Sequence, residues 1–114
     1  MRHDSAGFLS DVLDATVSIE SFLVGVDEAA FVASDLIRAA VERKFIIIGE
    51  ALSQLSKEEF SDKAAIAEFQ KIVGFRHQLV HGYRLIDARR VFTTAKIGLP
   101  GLKAEVMEIL QRLK

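Results

Sequence analysis

Apolar residues recur along this chain at steps of three and four, the spacing that puts them on one side of an α-helix. Phe8, Val12, Ala15, Ile19 and Phe22 form the first stripe and predict a helix over roughly 4–24, closed by Gly25. Asp27 is placed to cap a short helix containing Phe31, and Ser34 or Asp35 to cap a longer one reaching about Leu55. In that third helix Ile37, Val41, Phe45, Ile48, Leu52 and Leu55 make a seam, which Leu36, Ala40 and Ile47 widen into a face wide enough for two neighbours. Ser56-Lys57-Glu58-Glu59 has the pattern of a capping box that could open another short turn, and Ser61-Asp62 offers a second cap.

A fourth helix follows over about 63–81, with Ile66, Phe69, Ile72 or Val73, Phe75 and Leu79 inward and Gly82 suited to the position after its end. Asp87 then caps a fifth, carrying Val91, Thr94 and Ala95 and broken at Gly98-Leu99. Pro100 opens a last segment lined by Leu102, Val106, Ile109, Leu110 and Leu113. Neither period-two alternation nor an Asn-Gly or Asp-Gly hairpin turn is present. The expected fold is all-α, an antiparallel bundle of four to five helices in one domain over 1–114, since 114 residues supply a single core.

Composition narrows the chemistry. The chain has no cysteine, so disulfides, thiolate metal sites and cysteine nucleophiles are excluded and His, Arg and carboxylates must do any work. Its first residues lack the apolar core of a signal peptide, and the longest purely apolar run, Phe45 to Ile48, is far too short to span a bilayer. The expectation is a cytoplasmic protein with no membrane partner. A formal net charge of −1 gives no bulk attraction to nucleic acid. Charge is uneven, however: Lys71, Arg76, Arg84, Arg89 and Arg90 face only Asp87 across positions 71–90.

Polar and ionisable residues crowd the end of the fourth helix, in Gly74-Phe75-Arg76-His77-Gln78-Leu79-Val80-His81-Gly82-Tyr83. His77 and His81 are four residues apart and share a face, whereas Arg76 and His81 differ by five positions, or about 140° around the axis. Both could reach one cleft only with help from the long Arg side chain, the break at Gly82, or a second subunit. Chemically the set suits RNA cleavage through the substrate's own 2′-hydroxyl, which requires a base, an acid and positive charge beside the phosphorus. Imidazole, with an unperturbed pKa of roughly 6.5, exchanges protons near neutrality, and guanidinium binds phosphate oxygens bidentately. Since the nucleophile belongs to the substrate, neither a metal nor another cofactor is required.

These residues resemble a known family. Arg76-His77-Gln78-Leu79-Val80-His81 is similar to the R-x4-6-H signature of HEPN domains, and His81-Gly82-Tyr83 extends it to the R-x4-H-x-Y form of HepT-like toxins. Met1-Arg2-His3-Asp4, Phe8 to Leu13, Ile47-Ile48-Gly49-Glu50-Ala51, Ile72 to Arg76 and Leu99-Pro100-Gly101-Leu102 look like family positions in the family's order. The resemblance implies a homodimer whose two motifs line one cleft, and a ribonuclease toxin with Arg76 and His81 catalytic and His77 supporting. It also implies an MntA-type nucleotidyltransferase antitoxin that adds AMP to Tyr83. Negative charge and bulk two residues from His81 would repel an RNA backbone. Two departures from the common form are His77, where Asn is frequent, and Phe92, where Trp is often found.

Duller readings stand beside each residue. Arg76 could merely pair with Glu50, itself otherwise a solvated helix residue, and His81 could serve the dipole at a helix C-terminus. His77-x3-His81 has metal-ligand spacing but lacks the Glu of His-Glu-x-x-His, and no metal site is expected. Tyr83 could be a half-buried aromatic. Lys71, Arg84, Arg89 and Arg90 could be a solvated face rather than phosphate holders. The alternative functions are a noncatalytic nucleotide- or partner-binding HEPN module and a purely structural helical dimer.

Overall fold

A computed structural model describes residues 5–57, 69–82 and 86–113. The described residues are helical throughout their regular structure, in the order α1 (Ser5–Phe22), α2 (Glu28–Ala33), α3 (Asp35–Lys57), α4 (Phe69–His81), α5 (Ala88–Thr93) and α6 (Leu99–Arg112). The all-α expectation holds. A capping turn at Ser61-Asp62, the portion of the fourth helix before Phe69, Tyr83 and Arg84 lie outside the described residues.

Local chemistry sets the element ends. Asp27 accepts a hydrogen bond from the Ala30 backbone N–H at 2.8 Å, and Asp87 accepts from that of Arg89 at 3.0 Å. At α3 the cap is Ser34, whose hydroxyl accepts from the Ile37 N–H at 3.1 Å, while Asp35 is the first helical residue. Gly25, with φ of +73°, turns the chain after α1 in the left-handed conformation that glycine adopts without a Cβ penalty. Ser56 and Lys57 belong to the end of α3, and the rest of the proposed capping box, Glu58 and Glu59, lies outside the described residues.

Packing follows the predicted seams. α3 is the central element, with α1 against one side and α4 against the other, while α6 returns to α1 and α2 rests on α5 and α3. Val41, Phe45, Ile48, Leu52 and Leu55 of α3 are fully buried, as are Leu9 and Val12 of α1, Ile72 of α4 and Val106 of α6. Burying a side chain of this size stabilises the fold by about 1.5–3 kcal/mol. Phe31 of α2 meets Phe92 of α5 with ring centres 5.5 Å apart, so phenylalanine fills the place at 92. Thr16, buried in α1, satisfies its hydroxyl by donating to the Val12 carbonyl at 2.8 Å.

Four expectations need correction. Phe22, on the predicted stripe of the first helix, is 37% exposed at the end of α1. Leu36 does not widen the α3 face: it is 80% exposed, because it sits in the first turn, beyond the reach of either packing partner. Leu113 is 47% exposed beyond the end of α6. Nor is there a break at Gly98-Leu99. The chain passes from α5 through a single π-helical turn, Thr94–Gly98, directly into α6, where Pro100 occupies the first turn and its missing N–H is harmless.

Among the described residues one carboxylate is perturbed. Partial burial raises the pKa of Glu42 in α3 above the usual carboxylate range, and the nearby Arg38 guanidinium offsets part of that rise.

Candidate functional site

The site is built on α4, whose rotation is fixed by what it buries. Ile72, Phe75 and Leu79 point into the bundle, and Phe75 stands edge-on to Phe45 of α3 with ring centres 5.1 Å apart and planes at 88°. Edge-to-face contact is the favoured geometry of an aromatic pair, so it resists rotation of α4 about its axis. With that face inward, Arg76 lies on the edge towards α3, Gln78 lies on the edge towards α5, and His77, Val80 and His81 are exposed on the outer side.

Arg76 is held closely. Its Nη2 donates to Glu50 Oε2 of α3 at 3.3 Å, with the two side chains 27% and 49% exposed. Its Nε is buried without a hydrogen-bond partner. Nε is therefore closed to a ligand, and Nη2 is engaged by Glu50. The stem lies over Gly49: a Cβ added there would fall 2.1 Å from Arg76 Cβ and 2.5 Å from its Cγ. Only glycine lets α4 come this close to α3. In the middle of an apolar helix a glycine sacrifices about 1 kcal/mol relative to alanine, which was the sequence signal that this position has a packing duty.

The imidazoles lie elsewhere. His77 and His81 face each other across one helical turn, ring centres 4.6 Å apart with planes inclined at 52°, and both are exposed. Neither makes a direct contact with Arg76 among the interactions of the described residues, in keeping with the angle of about 140° that separates Arg76 from His81 on a regular helix. His81 ends α4, and the Gly82 N–H donates to the Gln78 carbonyl at 2.8 Å, which closes the last turn. Among the described residues no group of three or more His, Asp or Glu could hold a metal ion.

The other cations part company. Arg90 donates to Gln78 Oε1 at 2.9 Å and lies over the Phe75 ring at 5.4 Å, which docks it beside the motif helix. Arg89 turns the other way and pairs with Glu28 of α2 at 3.8 Å. Lys71 is exposed at the opposite end of α4 and lines a separate open cavity of about 470 Å³ together with Thr93, Thr94, Ile97, Gly98, Gly101 and Glu105. Sequence reasoning overlooked the seating by Gly49 and the docking of Arg90 through Gln78. No helix among the described residues is long and apolar enough to cross a membrane.

The chain is similar to several curated proteins along nearly its whole length. A candidate RNase of Methanocaldococcus jannaschii is 31% identical over 113 residues, covering 99% of this chain and 97% of its own length. Another candidate RNase, from Caldanaerobacter subterraneus subsp. tengcongensis, is 31% identical over 107 residues, covering 94% and 95%. A candidate ribonuclease HepT of Thermococcus cleftensis is 27% identical over 105 residues, covering 92% and 94%. No solved structure gives a significant match.

The Gly49 seat makes a direct prediction. Gly49→Ala should lower stability by about 1–3 kcal/mol, the usual penalty for forcing extra volume into a packed contact. Urea unfolding of the variant measures this, and an unchanged midpoint would show that the α3–α4 contact is not as close as described. The HepT-like family, described as ribonuclease HepT-like, matches residues 12–109, and the chain belongs to it.

Proposed function

We propose that the chain is a single-domain endoribonuclease toxin that cuts RNA without a metal, with Arg76 and His81 as its catalytic pair. The observation that carries this reading is the membership in a ribonuclease family together with an exposed His81 and a fixed Arg76 on the same helix. In the proposed reaction His81 exchanges the protons: the substrate 2′-oxygen bonds to phosphorus as its proton leaves, the phosphorus–O5′ bond breaks, and a proton is delivered to O5′. The 5′-hydroxyl fragment leaves and a 2′,3′-cyclic phosphate remains. Arg76 offers its terminal nitrogens to the phosphate oxygens, whose charge grows in the transition state. His77 supports His81 across the turn, and Arg90 holds flanking phosphate, with Lys71, Arg84 and Arg89 as weaker RNA contacts.

The angular separation of Arg76 and His81 favours a site shared by two copies. Val80, 39% exposed, and the two histidines give the outer side of α4 a mixed apolar and polar surface. Packed on its counterpart in a homodimer, that surface would let Arg76 of one copy meet His81 of the other. The partner that silences the toxin is an MntA-type nucleotidyltransferase adding AMP to Tyr83, a reading supported by the His81-Gly82-Tyr83 spacing.

The noncatalytic module remains the second reading, favoured by the lack of contact between Arg76 and His81 within one chain. Cleavage assays separate the two. Wild-type protein in chelator should convert an RNA oligonucleotide to products, and His81→Ala should lower the rate by about 10²–10⁴-fold, the range of one general acid–base contribution. Arg76→Ala should be similarly impaired. RNA binding without products in the wild type would replace the nuclease reading with the module. For the antitoxin step, mass spectrometry of protein made beside its neighbouring nucleotidyltransferase should find AMP on Tyr83, and an unmodified tyrosine would remove that step.

A further inference from the structure

His77 has only a supporting part in the proposed chemistry, and its place beside His81 suits it for another. It lies one turn before His81 on the exposed side of α4, with the two ring centres 4.6 Å apart and the planes inclined at 52°. Two imidazoles sharing one Zn²⁺, at about 2.0–2.1 Å from each nitrogen and an angle between a right angle and tetrahedral, would hold their ring centres roughly 4.5–5.2 Å apart. The observed separation falls in that interval, so the two rings are close enough to share one ion once a nitrogen of each turns towards it. Two histidines at i and i+4 on one helical face are also the spacing that zinc helices use.

We propose that His77 and His81 form a two-imidazole chelate for a late first-row divalent cation such as Zn²⁺ or Cu²⁺, and that its occupancy inhibits the enzyme. No third His, Asp or Glu among the described residues completes the set, so water fills the remaining positions and the ion stays exchangeable. Binding takes the lone pair of each ligating nitrogen. A metallated His81 can neither accept the 2′-hydroxyl proton nor deliver one to the leaving oxygen, and removing the ion restores it. The inhibitory consequence rests on the ribonuclease reading; the chelate itself does not.

Untagged full-length protein titrated with ZnCl₂ tests the chelate by NMR of the imidazole nitrogens. His77 and His81 should shift together at micromolar Zn²⁺, and His77→Asn, which keeps the exposed surface polar, should weaken binding at least ten-fold. Cleavage by the wild type should fall with the same midpoint. In His77→Asn, with each rate referred to that variant's own rate without metal, the inhibitory midpoint should rise at least ten-fold. Equal Zn²⁺ affinity in wild type and His77→Asn, or imidazole nitrogens that do not respond, would overturn the site. Undiminished cleavage by Zn²⁺-loaded wild type would overturn the inhibition. Protein that chelates Zn²⁺ but cuts no RNA when metal-free would overturn the ribonuclease reading and leave the chelate standing.

Discussion

The close crossing of α3 and α4 is the constraint on which the candidate site depends. Gly49 leaves room for the Arg76 stem, Glu50 ties the guanidinium, and Phe45 meets Phe75 edge-on one turn away. Each contact is modest: a partly exposed ion pair contributes about 0–1 kcal/mol, and an aromatic pair about 0.5–1.5 kcal/mol beyond its burial. Together they remove two freedoms that α4 would otherwise have, rotation about its axis and distance from α3. Once these are fixed, regular helix geometry dictates that His77 and His81 face outward and that Gln78 faces α5, where it meets Arg90.

This arrangement explains why neighbouring charges have different fates. Arg89 and Arg90 are adjacent in sequence, but successive residues on a helix point about 100° apart, so one docks on Phe75 and Gln78 while the other pairs with Glu28. The local excess of positive charge between 71 and 90 is therefore not one patch. Arg76 and Arg90 flank the core-facing side of α4 on its two edges, and Lys71 belongs to a different cavity.

Much of the fold was legible because helix patterning is local. The seam of α3, the Asp27 and Asp87 caps and the turn at Gly25 follow from spacing and side-chain chemistry alone. Leu36 and Leu113 were misassigned because periodicity gives a direction without saying whether a neighbour extends that far. The π-helical turn escaped notice for a related reason: Gly98 and Pro100 are ordinary signs of a break, yet Pro100 falls where no N–H is needed and the rod continues. At the site, spacing alone sets Arg76 and His81 about 140° apart on a regular helix. What it could not supply was the partner of each group, since Glu50, Gly49 and Arg90 come from elements distant in sequence.

The duller reading of Arg76 as the partner of Glu50 is correct as geometry, and it is compatible with function, because a guanidinium whose Nε is sealed and whose Nη2 is tethered has little freedom left to lose on meeting phosphate. The proposed nuclease then hinges on joining an arginine and a histidine that one chain holds apart. Mixing and refolding equal amounts of the Arg76→Ala and His81→Ala proteins tests this most directly. A site shared between copies regains about a quarter of wild-type cleavage, since half of the random dimers are mixed and each carries one intact site. Mixtures as inactive as either parent, despite verified exchange of subunits, would contradict it.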